Sequence, residues 1–133
     1  MHRYDIILLT DSRYVNPEHR NDYINNVLHE DVLVKQALEK RGLRVARTNW
    51  DNPDFNWSKT RYIIFRTTWD YFNRFAEFSE WLKKVSAQTK LINPLNTILW
   101  NLDKHYLREL QQKGISIPHT VFIEPGEKRT LHE

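Results

Sequence analysis

Tyr4-Asp5-Ile6-Ile7-Leu8-Leu9-Thr10 is apolar through its middle without alternation, the pattern of a strand buried on both faces. Arg61-Tyr62-Ile63-Ile64-Phe65-Arg66 repeats that pattern, so both runs predict central strands. Leu43 to Thr48 is interrupted by Arg44 and Arg47, as expected where one side or one edge meets water. Leu91-Ile92-Asn93-Pro94 predicts a short fourth strand stopped by proline. Helical spacing fills the gaps. After a polar loop, Asp31 to Arg41 places Val34, Ala37 and Leu38 on one face, with Gly42 as a C-terminal stop. Tyr71, Phe75, Phe78, Leu82 and Val85 recur at alternating spacings of four and three, an apolar stripe on a second helix. Asn96 to Gly114 predicts a further helix, with Leu107 and Leu110 apolar. Ile115 to Ile123 then reads as a connection into a new strand, ahead of the polar tail Glu124 to Glu133.

Strands alternating with helices at these spacings predict an α/β domain, Rossmann-like and three-layered. Its mostly parallel four-stranded sheet has the two apolar strands inside, in the order 2-1-3-4. In that order the chain leaves strand 1 in opposite directions to reach strands 2 and 3. A crevice is therefore expected beyond the carboxyl ends of strands 1 and 3, where open α/β sheets bind ligands. Thr10-Asp11-Ser12 and Arg66-Thr67-Thr68-Trp69-Asp70 fall there. The strand at 115–123 has no partner left in the chain, so residues 1–114 are expected to form one domain and 115–133 the linker and first strand of another.

Composition narrows the field. At 133 residues, 40% hydrophobic and 28% charged, the chain is long enough for one core and too apolar for disorder. The absence of cysteine excludes a disulfide framework and a thiolate zinc site and suits a reducing, cytoplasmic setting. Asp11 and Arg13 close the first apolar run too early for a signal peptide or a membrane span. The net charge of +3 invites a nucleic-acid reading, but Lys and Arg are interleaved with Asp and Glu along most of the chain, which argues against one.

Known catalytic signatures are missing. Gly42, Gly114 and Gly126 are too far apart for a P-loop or a G-x-G-x-x-G turn, and the six histidines have no metal-ligand spacing. The polar block at the switch point is what remains. Arg66 can hold a carboxylate or phosphate with its planar fork, or pair with Asp70 or Asp11 to steady the loop. Trp69 can wall in a ligand or anchor the core. Asp70 is favoured as the cap of a helix starting at Tyr71. Arg74, one turn on, either faces the crevice or is solvated. Lys104, at a helix start, reads on its own as a surface lysine, although an ammonium there can meet phosphate.

"WDNPDFNW", "FRTTWDYFNRFAEFSEWL", "LINP" and "NLDKHYLRELQQKGISIPHT" together resemble the front end of ATP-grasp ligases. The nearest likeness is to prokaryotic glutathione synthetase, the ribosomal S6 glutamate ligase and the cyclo-ligase of cycloserine biosynthesis. The resemblance implies a pre-ATP-grasp domain that lines the substrate side of a cleft, in a parent enzyme joining a carboxylate to an amine through an acyl phosphate with ATP and Mg2+. It implies that Arg66, Trp69, Asp70, Tyr71 and Arg74 face a carboxylate or amino-acid-like substrate, beside Asp11 and Ser12 that the switch point places there, and that Lys104 reaches the nucleotide phosphates. The expected partners are that small molecule and the ATP-grasp domain of the same chain, with no nucleic acid and no membrane; a homodimer stays open. This piece alone should be inactive, with no catalytic residue, metal or nucleotide site of its own complete. The competing reading is a stand-alone flavodoxin-like module that binds a small ligand or a protein without catalysis.

Overall fold

The structure, a computed structural model, describes residues 2–130. Four strands, β1 (Tyr4–Thr10), β2 (Val45–Asn49), β3 (Thr60–Thr67) and β4 (Lys90–Ile92), form one all-parallel sheet in the order β2-β1-β3-β4. The predicted order is met. The helices are α1 (Asp22–Glu39), α2 (Phe75–Ser86), α3 (Leu95–Asn101) and α4 (Tyr106–Gln112). Among the described residues no helix is long and apolar enough to cross a membrane.

Side chains alternate along each strand, so the sheet presents two sets to two different helices. Ile6, Leu8 and Val45 meet Val34 and Leu38 of α1, with Tyr62 and Ile64 beside them. Ile7, Leu9 and Ile63, all fully buried, point the other way, toward the side of Phe78, Leu82 and Val85 on α2. There Trp50, Phe65, Phe78 and Trp81 pack with ring centroids between 5.4 and 6.4 Å apart, mostly edge to face. Trp81 Nε1 is buried without a hydrogen-bond partner. The Trp81 ring packs edge to face with Trp50, Trp57 and Phe65.

Several boundaries differ from expectation. Helix α1 starts at Asp22, well before the predicted Asp31, because Asn21 caps it by accepting the Ile24 N–H at 2.9 Å. The polar run Asn25, Asn26, His29, Glu30 masked that start from apolar spacing alone, while Val27 is buried and Ile24 and Leu28 half-buried on the inner face. Ala37, expected inward, is exposed. Gly42 ends α1 as predicted, at φ 79°, a left-handed conformation that glycine adopts without a Cβ clash. Helix α2 begins at Phe75, not Tyr71; Phe75 is therefore on an exposed first turn, and Thr68 to Arg74 form turns instead. The long helix predicted to run to Gly114 is broken between Asn101 and Tyr106.

No strand forms over Ile115–Ile123. A strand needs a ladder partner, and among the described residues every strand belongs to the sheet of the first unit. The described chain divides into two compact units between Leu95 and Asn96, earlier than the expected boundary after Gly114.

Candidate functional site

Three arginine-centred networks and an aromatic group occupy the carboxyl end of the sheet. At the end of β1, the Asp11 N–H donates to the Thr67 carbonyl at 2.9 Å, and the Thr10 and Thr67 hydroxyls meet at 2.5 Å, so β1 and β3 stay joined to their last residues. Asp11 has a fully buried carboxylate that caps the short 3-10 turn Ser12–Tyr14 and takes the fork of Arg13 at 3.1 and 2.8 Å. Its hydrogen-bonding capacity is used within the loop. Ser12 is exposed at the start of that turn.

Arg66 pairs with neither Asp11 nor Asp70. It lies on the α1 face of β3, where Nε donates to Asp31 at 3.0 Å and Nη2 approaches Glu30 at 3.5 Å. Asp31, only 2% exposed, is shared with Arg47 of β2, whose Nε donates to it at 2.5 Å. Arg47 also donates to the Tyr14 and Val15 carbonyls and to the Thr10 hydroxyl. Arg47, read from the sequence as meeting water, is thus mostly buried. Its even spacing from Val45 puts it on the inner face, where Asp31 supplies its counter-charge.

Asp70 does not cap a helix. The N-cap position of α2 is Arg74, which makes no side-chain cap bond, and Asp70 instead accepts the Trp50 indole N–H at 2.8 Å and Arg74 Nη1 at 3.2 Å. Arg74, expected at the crevice or in solvent, is the centre of this third network. It donates to Asp51 at 2.6 Å and to Glu77 at 2.6 Å, and its guanidinium lies 4.6 Å from the Trp50 ring centroid. The electrostatic consequence is mutual. Hydrogen bonds donated to Glu77 and Asp51 hold the guanidinium proton above the ordinary arginine range. Burial pushes the Asp51 carboxyl up, but the bonds from Arg74 and Asn49 outweigh it and hold it below the ordinary value of 3.8. The Arg74 bond likewise lowers the Glu77 carboxyl.

Trp69 is 40% exposed, which sets aside its role as a core anchor. Its ring stands edge-on to Tyr14 at 5.5 Å and tilted against Tyr23 at 6.3 Å, forming an aromatic wall from three separate elements. Tyr71 is half-buried against Phe78 at 5.5 Å and so supports this end from below. In the second unit, Lys104 lies in the turn ahead of α4, exposed, with Nζ 5.6 Å from the Tyr106 ring centroid and no carboxylate within ion-pair distance among the described residues. Among those residues no group of three His, Asp or Glu side chains could hold a metal ion.

Sequence reasoning passed over Asp31, Tyr14 and Tyr23, and read Asp51, which follows β2 where a ribose-binding acid would sit, as a loop residue. One signal was available: Asp31 falls between Val27 and Val34 on the inner face of a helix, and a carboxylate so placed needs a buried cationic partner.

An all-parallel 2-1-3-4 sheet with a helix on each face, carrying its charged and aromatic side chains at the carboxyl end, defines a Rossmann-like α/β domain. The chain belongs to the family of D-cycloserine synthetase DcsG N-terminal domains, whose model matches residues 6–93. It is 32% identical over 91 residues to the cycloserine biosynthesis protein DcsG of Streptomyces lavendulae, a match spanning 68% of this chain and 30% of that protein. The crystal structure of D-cycloserine synthetase DcsG superposes with a TM-score of 0.76 at 26% identity, covering 91% of this chain and 37% of that one. The chain thus spans about a third of the length of the relatives it matches.

Proposed function

We propose that this chain is the substrate-side N-terminal domain of an ATP-dependent ligase of the cycloserine synthetase kind, acting on an amino-acid-like carboxylate in the cytoplasm. The observation that carries the reading is the family match over residues 6–93, which takes in β2, β3, β4, all but the first two residues of β1, and the Arg66–Arg74 block. In this reading residues 115–133 lead into an ATP-grasp region.

The geometry supports a division of labour. Asp11, Asp70, Arg66 and Arg74 are committed to protein partners, so they form a rigid floor in which no side chain has to reorganise when substrate arrives. Trp69, with Tyr14 and Tyr23, is the exposed wall that packs against the apolar or planar part of the substrate. Arg13, whose side chain is 57% exposed and tethered to Asp11, is the cation best placed to meet a carboxylate at the rim. Lys104 meets the nucleotide phosphates. ATP with Mg2+ would supply the phosphoryl group that activates the substrate carboxylate, with ADP leaving, and the amine would then displace phosphate as the new C–N bond forms. An acyl phosphate is lost to water, so walls that close around it protect the reaction.

The test is ADP release by the complete gene product, supplied with ATP, Mg2+ and amino-acid-like substrates in turn. Substrate-dependent release, abolished by Lys104→Ala and weakened by Trp69→Ala, is the expected outcome. Release that ignores both substitutions would return these residues to structural or surface roles, and no release with any substrate would remove the ligase reading.

A further inference from the structure

The turn that carries Lys104 is held by a side-chain cluster whose hydrogen bonds cannot all be made by neutral groups. Both ring nitrogens of His105 face carboxylates: Nδ1 meets Asp103 Oδ1, and Nε2 meets Glu124 Oε1 at 2.9 Å. A neutral imidazole has one N–H and one lone pair, and an ionised carboxylate only accepts. Two simultaneous bonds of this kind therefore require the imidazolium.

We propose that His105 is a proton-operated latch that fastens the segment around Glu124 to the Asp103–His105 turn and so positions Lys104. The contacts converge from both sides. The His105 N–H of the backbone also donates to Asp103 at 2.8 Å, closing a ring across Lys104. Arg108 of α4 reaches Glu124 at 3.4 Å and lies 4.2 Å from the centroid of Phe122, on which the His105 ring stacks at 4.9 Å and 25°. Glu127 accepts the Glu124 N–H at 3.1 Å and is itself paired with Arg129. The charged groups facing His105 are thus Asp103, Glu124 and Arg108, with Glu127 behind Glu124, and the two carboxylates in contact outnumber the one cation.

The sign follows. The bonds that the ring N–H groups donate to Glu124 and Asp103 raise the imidazolium above its ordinary 6.5, so the latch is complete below 6.5 and opens as pH rises through that raised value. Asp103 is held below its ordinary 3.8 by the backbone and side-chain N–H groups of His105, so the latch also opens in strong acid, as pH falls through the lowered value. The latch itself stands on the contacts around His105; only its consequence for nucleotide binding rests on the reading of Lys104 given above.

The experiment is an NMR titration of the 15N-labelled 133-residue chain from pH 5 to 9. It follows the His105 ring with the backbone amides of Phe122 and Glu124, and is repeated on Glu124→Gln and Lys104→Ala. The expected result is a His105 midpoint above 6.5 that the Phe122 and Glu124 amides share, returning toward 6.5 in Glu124→Gln and unmoved in Lys104→Ala. A midpoint at or below 6.5, amides that do not follow it, or a midpoint indifferent to Glu124→Gln would overturn the latch. If the titration behaves as expected while Lys104→Ala leaves ADP release by the complete gene product intact, the latch stands and the nucleotide role of Lys104 falls.

Discussion

On one face of the sheet, Asp31 of α1 sits between Arg47 of β2 and Arg66 of β3; on the other, Phe78 and Trp81 of α2 pack among Trp50, Trp57 and Phe65. Both arrangements attach a helix to the same strands, with different energetics. Each aromatic ring removes a large apolar area from water, at roughly 25 cal/mol per Å2, and tolerates small shifts in angle. The ion triad gives up the hydration of three charges and recovers it only where the bonds are in register, so its net contribution is small and its geometric demand high. The aromatic face supplies stability. The charged face sets where α1, and with it Tyr23, stands relative to Trp69.

The comparison is broken most sharply by removing one member of the triad. Asp31→Ala leaves the mostly buried Arg47 guanidinium without a carboxylate and Arg66 with only the exposed Glu30, and should cost about 3–5 kcal/mol in urea unfolding. Phe78→Ala, which opens a cavity under α2, should cost a similar amount, on the order of 3–5 kcal/mol. The two differ in how they are rescued. Replacing the whole triad with apolar residues, as in Asp31→Leu with Arg47→Met and Arg66→Met, should recover most of the Asp31→Ala loss, because no unpaired charge remains buried. A triple variant as unstable as Asp31→Ala would mean that the triad contributes net stability.

Arg74→Met tests the network between the two faces and should have a smaller effect with a pH signature. Asp51 and Glu77 are lowered in the folded state, so their contribution is present above their ordinary values of 3.8 and 4.5 and is lost as pH falls through the lowered ones. The wild-type urea midpoint should therefore fall as the pH drops below about 4.5, and the Arg74→Met midpoint should fall less over the same interval. Parallel curves would show that Arg74 is not what holds these carboxyls down. Smallest in stability is Trp69→Ala, at an exposed position, expected within about 0.5 kcal/mol of wild type by thermal unfolding. A larger loss would make Trp69 a packing residue and weaken its assignment to the substrate wall.

The strand runs, the edge character of β2 and the stop at Gly42 were legible because each is written in neighbouring residues. The Arg66–Arg74 block was legible as a place, through the switch point, but not as a set of bonds. Arg66 was offered Asp11 or Asp70 as partners because those lie close in the predicted topology; it meets Asp31, 35 residues away in sequence, because alternation along β3 turns it toward α1. Asp70 was expected to cap α2 because aspartate before an aromatic run favours a helix start. It is diverted by the Trp50 indole, 20 residues distant, and the helix begins later. The strand expected at Ile115–Ile123 shows the opposite error: local β-propensity cannot make a strand without a neighbour to bond.

Local pattern by itself determined the four strands of the sheet, their 2-1-3-4 order and the end of the sheet where the charged block lies, since apolar runs act over a few residues. Tertiary structure alone decided which carboxylate each arginine meets, that Trp69 faces outward, and that His105 bridges two acids. Those outcomes depend on groups brought together from 16 to 36 residues apart for Asp31 with Arg47 and Glu30 with Arg66, and 19 for His105 with Glu124. A charge chooses its partner by distance and burial, and neither exists until the chain has folded.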